Sequence, residues 1–370
     1  MKQIYMVIIV SLVFAAPLSA QENFSLKYIS EGETPLMTSD NYNNNISITT
    51  KNLRNSDEVC IAYTNVNQLQ VYRFDEGKFE LIFEDQNDFE RRRNGQRNPD
   101  VTACDIDNDG LDELIYGVEK TVFIYNWDGS GFKVRSFEFP YYIYMLTAGD
   151  FTNDGEIEIV TACLETITYP PGKGSEGGPT EPFILVISKI RENNLETIFA
   201  SKDKTVIMFN RIQPPGTFEC IMDYYNTGIN QLITTLPQSD VSSTRYKTSF
   251  WDNKINDVIL SDRFNIPGFA YSGGYRPSII IGNIIPVILG DKSFFLAKSM
   301  GNEKGPYQPE LHLMKNENGR YLNWKLLDLS GAEILITRQN DETGVLLLNQ
   351  KRGRRPINYL YQYYILEQNK

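Results

Sequence analysis

Carboxylates at alternate positions are the feature of this sequence best suited to chemistry. Asp105, Asp107 and Asp109 precede a glycine, and Glu113 follows just before an apolar run. Because side chains around a glycine turn can point toward one centre, they could bind a single cation. Calcium prefers six to eight hard oxygen ligands and tolerates irregular geometry, so the pattern predicts a calcium site. The expected ligands are the side chains of Asp105, Asp107, Asp109 and Glu113 and the backbone carbonyl oxygen of Leu111.

The same order of residues recurs between Asp150 and Val160, again around a glycine and before an apolar run. Thr152 stands at the position of the second carboxylate, so we expect a weaker affinity for calcium here. The corresponding ligands would be the side chains of Asp150, Thr152, Asp154 and Glu158 and the backbone carbonyl oxygen of Glu156. The two loops together predict one or two structural calcium ions.

A third and less acidic copy of the loop begins at Asp223. Tyr225 and Thr227 occupy positions that carry acids in the first copy, and Gln231 replaces the final glutamate. With so few carboxylates left, we expect no tight calcium site in this loop. Its recurrence at the same phase between apolar strands is nevertheless typical of a repeat protein.

The acidic loops also resemble the opening of an EF-hand and an acidic β-turn without a metal. An EF-hand opens with the same D-x-D-x-D-G order, but it also needs a glutamate at loop position 12 and flanking helices. That position is Tyr116 in the first loop and Thr161 in the second, and both loops are flanked by strand-like segments. The EF-hand is therefore rejected, which leaves an acidic β-turn without a metal as the alternative to a calcium site.

The segments around the loops predict short strands in groups of four, joined by turns. An aromatic residue followed by aspartate ends the third strand of three groups, at Phe74, Trp127 and Trp251. The groups extend over about 46–83, 101–139, 145–200, 218–260 and 284–329, and a last group has three strands, at 333–337, 345–349 and 360–366. This arrangement predicts an all-β fold, a β-propeller of four-stranded antiparallel blades, with six blades expected and seven as the alternative.

The last group lacks a fourth strand, whereas the segment from Phe24 to Ile29 predicts a strand that belongs to no group. If this strand pairs with the one from Tyr361 to Leu366, it completes the last blade and closes the ring. Closure would also leave no unpaired strand edge, which is a site of aggregation in open sheets.

The loops at 105–117 and 150–161 resemble the FG-GAP or VCBS-type repeats of integrin α-chain propellers and of many secreted bacterial proteins. The resemblance implies that calcium is held between the first and second strands of a blade. It covers two repeats well and the third weakly, and the FG and GAP sequences themselves are absent. The function that we expect from it is a non-catalytic module that binds a protein or a glycan, with a structural module of an envelope complex as a further alternative.

Residues 1–20 have the features of a secretory signal, with Lys2 before an apolar run and small residues near Ala20 for cleavage. Residues 21–370 would then form a single propeller domain that is secreted, periplasmic or in the cell envelope. No later apolar run is long enough for a transmembrane helix. The net charge of −11 argues against nucleic acid as a partner, since that requires a basic surface.

Four cysteines lie within apolar strand patterns: Cys60, Cys104, Cys163 and Cys220. In an oxidising compartment they could form two disulfides, with three possible pairings. Buried thiols are an equally good interpretation, because cysteine is one of the residues most often buried. No CxxC pair indicates a metal site.

Basic and aromatic residues are concentrated in long connections between strands. In a meander, the connections between second and third strands and those between blades share one face, and the acidic loops lie on the other. We predict that the face opposite the acidic loops binds an anionic partner. The alternative is that its long connections are solvated loops without a partner. The candidate binding residues are Arg91, Arg92, Arg93, Arg97, Tyr271, Tyr275, Arg352, Arg354 and Arg355.

The sequence offers little support for catalysis. His312 is the only histidine, which argues against histidine-based triads and multi-histidine zinc sites. No nucleophile elbow, P-loop or zinc-protease motif is present, and we assign no catalytic residue. The enzymatic alternative is a calcium-dependent polysaccharide lyase, in which the basic connections would bind an acidic sugar.

Overall fold

The described residues form 24 strands arranged in six sheets, each with four antiparallel strands. The computed structural model describes residues 23–37, 47–51, 53–54, 59–65, 68–75, 77–85, 100–165, 184–191, 194–201, 218–236, 245–255, 257–264, 281–299, 310–317, 320–329, 333–339, 342–350 and 358–369. The predicted signal segment, residues 1–20, lies outside the described residues. None of the described segments forms a helix of the length and hydrophobicity needed to span a membrane.

Five of the six sheets are formed by consecutive strands. Strand β1 (Asn23–Met37) belongs to the sixth sheet. The first blade contains β2 (Ser47–Lys51), β3 (Val59–Asn65), β4 (Gln68–Asp75) and β5 (Lys78–Asp85), and the second contains β6 (Asp100–Cys104), β7 (Glu113–Val118), β8 (Thr121–Trp127) and β9 (Phe132–Glu138). The third contains β10 (Tyr142–Gly149), β11 (Glu158–Leu164), β12 (Ile184–Arg191) and β13 (Asn194–Ser201), and the fourth contains β14 (Phe218–Met222), β15 (Gln231–Leu236), β16 (Arg245–Asp252) and β17 (Asp257–Phe264).

The remaining two sheets complete the set. The fifth blade contains β18 (Ile281–Leu289), β19 (Lys292–Ser299), β20 (Glu310–Glu317) and β21 (Arg320–Asp328). The sixth contains β22 (Glu333–Gln339), β23 (Glu342–Gln350) and β24 (Asn358–Asn369), with β1 as its outer strand. The predicted all-β class and the six blades are confirmed.

The first strands of the blades form a closed ring. Strands β2, β6, β10, β14, β18 and β22 contact one another in that order, and β22 contacts β2. This circular order is the arrangement of a β-propeller, in which blades radiate from a central axis. The ring of contacts leaves no place for the seventh blade of the alternative prediction.

The burial of each strand reflects its place in the blade. All residues of β7 and β11, which are second strands, are buried, because a neighbouring blade covers each face of the sheet. A strand covered on both faces needs a nearly continuous apolar run rather than alternation, and Leu114 to Tyr116 and Ile159 to Val160 provide such runs. Most residues of the outer strands β5 and β9 are exposed or partly exposed.

The sixth sheet joins the two ends of the described chain. Strand β1 pairs with β24 in antiparallel register, with Leu26 opposite Leu366 and Tyr28 opposite Tyr364. This pairing is consistent with the predicted closure. On one face of the sheet, Phe24 packs in the core shared with the fifth blade. On the other face, Tyr361 packs against the first blade and its hydroxyl donates a hydrogen bond of 2.9 Å to the carbonyl oxygen of Gly77.

The cysteines, all of which lie in described strands, are not joined by disulfides. Cys60, Cys163 and Cys220 are buried and Cys104 is partly buried. Burial raises the pKa of the Cys163 thiol to about 12. Of the two interpretations that the sequence left open, the structure therefore shows buried thiols.

Candidate metal centre and related loops

The first acidic loop connects β6 to β7 and is held by its own aspartates. The carboxylate of Asp105 accepts hydrogen bonds from the backbone N–H groups of Asp109, at 3.2 Å, and Gly110, at 3.0 Å. Asp109 in turn accepts a hydrogen bond of 2.8 Å from the backbone N–H of Leu111. Gly110 has a φ of 90°, a conformation that favours glycine because it has no Cβ. The loop is thus preformed around its carboxylates.

Three of the predicted ligands come together at this loop. One carboxylate oxygen from each of Asp105, Asp107 and Asp109 lies within 4.8 Å of the others. Asp107 and Asp109 are exposed and Asp105 is partly buried. Clustered carboxylate oxygens that remain accessible suit a hard divalent cation such as calcium. The donor set of this loop therefore fits the ion that the sequence predicted.

Glu113 has a different environment from the three aspartates. Its side chain is buried; one oxygen accepts a hydrogen bond of 2.8 Å from the backbone N–H of Ile106, and the other accepts one of 2.8 Å from the amide of Asn126. Burial raises the pKa of Glu113 to about 7, against the effect of the Ile106 hydrogen bond, and the nearby aspartates add to the rise. In the structure this glutamate supports the base of the loop, and a direct contact with a metal stays a prediction, as does that of the Leu111 carbonyl.

The second acidic loop connects β10 to β11 and repeats this geometry. Asp150 accepts hydrogen bonds from the backbone N–H groups of Asp154, at 3.0 Å, and Gly155, at 3.1 Å. Glu158, which is fully buried, accepts three hydrogen bonds of 2.8–2.9 Å, from the N–H groups of Phe151 and Thr152 and from the Thr152 hydroxyl. Oxygens of Asp150, Asp154 and Glu158 lie within 4.8 Å of one another.

A lysine ammonium occupies the second loop. The Nζ of Lys189, on β12, contacts the carboxylate of Asp154 and lies 2.7 Å from Glu156 Oε2 and 3.1 Å from Glu158 Oε1. Only 7% of the Lys189 side chain is exposed. Arg191 adds a hydrogen bond of 2.8 Å to Glu156. Because a cation of the protein already sits among these carboxylates, the second loop does not fit calcium as the first loop does.

The charges around Lys189 shift the pKa values of the loop. Hydrogen bonds from Arg191 and then Lys189 lower the pKa of Glu156 to about 2. Burial raises the pKa of Glu158, although Thr152 and Lys189 oppose the rise. Burial alone would lower the pKa of Lys189, but its bonds to the carboxylates raise it. The ammonium is therefore fixed in its charged form at neutral pH.

The third loop, between β14 and β15, has the same geometry with a single acid, Asp223. Asp223 accepts hydrogen bonds from the backbone N–H groups of Thr227, at 2.9 Å, and Gly228, at 2.7 Å. The side-chain oxygen of Gln231 accepts a hydrogen bond of 2.8 Å from the N–H of Tyr224, as the glutamates do in the other loops. This loop shows that the backbone geometry of the repeat does not need a full set of carboxylates.

An asparagine in each of the last two loops connects neighbouring blades. The side-chain oxygen of Asn153 accepts a hydrogen bond of 2.6 Å from the backbone N–H of Asn230. The side-chain amide of Asn230 donates a second one, of 2.8 Å, to the backbone carbonyl oxygen of Asp150. Asn226 donates to the carbonyl oxygens of Ser293, at 3.1 Å, and Asn316, at 2.9 Å. Sequence reasoning missed these contacts, although the asparagine before the acid or threonine recurs in all three loops. The loops thus also join the third, fourth and fifth blades.

The sequence placed candidate binding residues on the face opposite the acidic loops. Arg91, Arg92, Arg93, Arg97, Tyr271, Tyr275, Arg352, Arg354 and Arg355 lie outside the described residues. The strands that flank two of these segments are described: β5 ends at Asp85, β6 begins at Asp100, β23 ends at Gln350 and β24 begins at Asn358. Both connections leave from the face opposite the acidic loops, because strands alternate in direction along each blade.

His312 is a buried residue of β20. Its Nδ1 lies 2.9 Å from the side-chain oxygen of Asn323, and its Nε2 lies 2.9 Å from the carboxylate of Glu310. Both ring nitrogens thus contact side chains of the fifth blade. The structure places this histidine away from the acidic loops of the second and third blades.

Comparison with protein families supports the repeat. The model of a family described as an FG-GAP-like repeat matches residues 105–161, which contain the first two acidic loops. No curated protein matches the chain. A crystal structure of BBS1N in complex with ARL6DN, soaked with lead, is similar over 93% of this chain and 98% of its own, with 9% sequence identity and a TM-score of 0.47. A structure of the core factor of S. cerevisiae is similar over 94% of this chain and 62% of its own, with 10% identity and a TM-score of 0.42.

Proposed function

We propose that this chain, an FG-GAP-type repeat β-propeller, is a binding module. One calcium ion stiffens its second blade. An anionic protein or glycan binds to the face of the propeller opposite that ion. A rigid scaffold that presents long loops is a common design for binding. The observation that carries the proposal is the strand topology, which sends both arginine-rich connections from one face of neighbouring blades.

The calcium part of the proposal is supported by the first loop. Asp105, Asp107 and Asp109 bring three negative charges within 4.8 Å of one another. The group that faces Glu113 is the neutral amide of Asn126. Calcium would relieve the repulsion among these carboxylates, and an ion that binds only the folded state stabilises it.

We expect calcium to raise the melting temperature of the wild-type chain relative to the same protein in a chelator. At about 100 times its dissociation constant, one bound ion contributes about 2.7 kcal/mol. Asp109→Asn should remove most of this gain, since it takes one charge from the cluster but keeps a side-chain oxygen for the N–H of Leu111. The measurement is thermal unfolding followed by calorimetry.

The control for this experiment is Asp128→Asn in the same blade. Asp128 also accepts backbone hydrogen bonds, from Ser130 at 2.9 Å and Gly131 at 3.0 Å, but it lies outside the acidic cluster. This variant should retain the full effect of calcium. A wild-type melting temperature that calcium leaves unchanged would show that no structural ion binds.

The distribution of charge along the sequence supports the proposed binding face. A chain with a net charge of −11 that nevertheless concentrates arginines in two segments has a local surface suited to anions. The first and sixth blades that carry these segments are neighbours, because β2 contacts β22 and Phe74 of β4 packs on Tyr361 of β24. Arginine suits this role because its planar guanidinium makes bidentate hydrogen bonds to carboxylate, sulfate-like and phosphate groups.

Reversing one charge in each segment tests this proposal. The double variant Arg92→Glu/Arg354→Glu should lose at least about tenfold in affinity for an immobilised polyanion such as heparin or polyuronate, since each arginine contact is replaced by repulsion. The control is Lys133→Glu/Lys254→Glu, which changes the net charge equally at exposed lysines near the third-to-fourth-strand turns of the second and fourth blades. Equal retention of the two double variants would contradict the proposal.

A further inference from the structure

The second and third blades differ at one position that faces the last acid of the loop. In the third blade, Glu158 is paired across the sheet with Lys189. In the second blade, Leu114 is paired with Tyr125, which places Asn126 beside Glu113, and their side chains are hydrogen-bonded at 2.8 Å. Two loops of nearly the same backbone geometry therefore face a neutral amide in one case and an ammonium in the other.

The Lys189 ammonium is placed as a bound cation would be. It contacts Asp154, Glu156 and Glu158, and two of these, Asp154 and Glu158, belong to the cluster of oxygens that could hold a metal. An ammonium has three N–H donors, and here three carboxylates accept them. With 7% of the Lys189 side chain and none of the Glu158 side chain exposed, this pair is also shielded from the solvent that weakens surface ion pairs.

A divalent ion and this ammonium exclude each other. Both need the oxygens of Asp154 and Glu158, and two cations a few ångströms apart repel strongly where water is scarce. The Lys189 side chain begins on a central strand of the blade, so its ammonium cannot move into solvent without leaving Glu158 buried and uncompensated. Burial of an unpaired charge is strongly unfavourable.

We propose that Lys189 is a built-in substitute for calcium in the third blade, so that this loop excludes divalent cations while the loop fold is kept. The ammonium then offsets the charge of the crowded carboxylates in this loop. This inference concerns the third blade alone and does not depend on calcium binding in the second.

Replacing the ammonium by the amide of the second blade tests this proposal. Lys189→Asn in the full chain should bind one more calcium ion than the wild type, measured by isothermal titration calorimetry in calcium-depleted buffer. The variant should also gain more in melting temperature from calcium than the wild type does, because calcium would take over the role of the lost ammonium. Lys189→Arg, which keeps a cation at the site, should gain no calcium ion.

A second variant, Asp154→Asn, tests the proposal independently of Lys189→Asn. Asp154→Asn in an otherwise wild-type chain should leave the number of bound calcium ions unchanged, whereas loss of an ion would overturn the proposal. A folded Lys189→Asn that binds no additional calcium would overturn it as well. A wild type that binds no calcium, together with a Lys189→Asn variant that binds one, would support the proposal for the third blade and contradict the calcium site of the second.

Discussion

Phe24→Ala should lower the free energy of unfolding by about 3–5 kcal/mol, the usual cost of truncating a buried aromatic residue. Phe24 is 8% exposed and makes edge-to-face contacts with Phe294 and Trp324, at ring-centroid distances of 5.4 and 5.0 Å. Both partners lie in the fifth blade, whereas Phe24 itself lies on the outer strand of the sixth. The residue therefore holds the closing strand against the neighbouring blade, and urea denaturation followed by tryptophan fluorescence measures its contribution.

Ile29→Thr is the control on the same strand. Ile29 is 44% exposed and lies at the register shift between Tyr28 and Ser30, and threonine keeps the β-branched shape that strands favour. Substitutions at exposed positions usually change stability by no more than about 0.5 kcal/mol. If Phe24→Ala were as mild as this control, β1 would be an accessory strand rather than a structural part of the ring.

The repeat phase could be predicted because it rests on local signals. Each acidic loop must follow a first strand, and each pair of an aromatic residue and aspartate, such as Trp127 and Asp128, ends a third strand, so these markers alone fix the order of strands in a blade. Closure followed from the missing strand of the last group, and β1 pairs with β24 in the structure. The observed β1 is longer than the predicted strand, because a bulge after Tyr28 lets the pairing continue along β24.

The difference between the two acidic loops could not be predicted from the sequence. Lys189 is opposite Glu158 only because of the register between β11 and β12, and the long connection between these strands conceals that register. Spacing also does not distinguish an acid that points outward from one that supports the loop, so Glu113 and Asp109 looked alike as ligands. Their burial separates them, since Glu113 is 1% exposed and Asp109 is exposed.

Glu158→Ala should cost about 3–5 kcal/mol of unfolding free energy at neutral pH, the range for removing one partner of a buried ion pair. The change leaves the backbone N–H groups of Phe151 and Thr152 without their acceptor, and it takes one carboxylate from Lys189. Buried donors that lose their acceptor account for about 1–3 kcal/mol each. Chemical denaturation of the full chain measures the loss.

Glu158→Gln is the matched variant, because the chain itself uses glutamine at this position in the third loop. There the side-chain oxygen of Gln231 accepts the hydrogen bond from Tyr224 at 2.8 Å, so a glutamine at 158 should keep the backbone N–H groups satisfied and lose mainly the attraction to Lys189. We therefore expect less than half the effect of the alanine variant. If both variants lost about 3–5 kcal/mol, the stabilisation would be assigned to the charge pair. If both lost little, Asp150 alone would hold the loop.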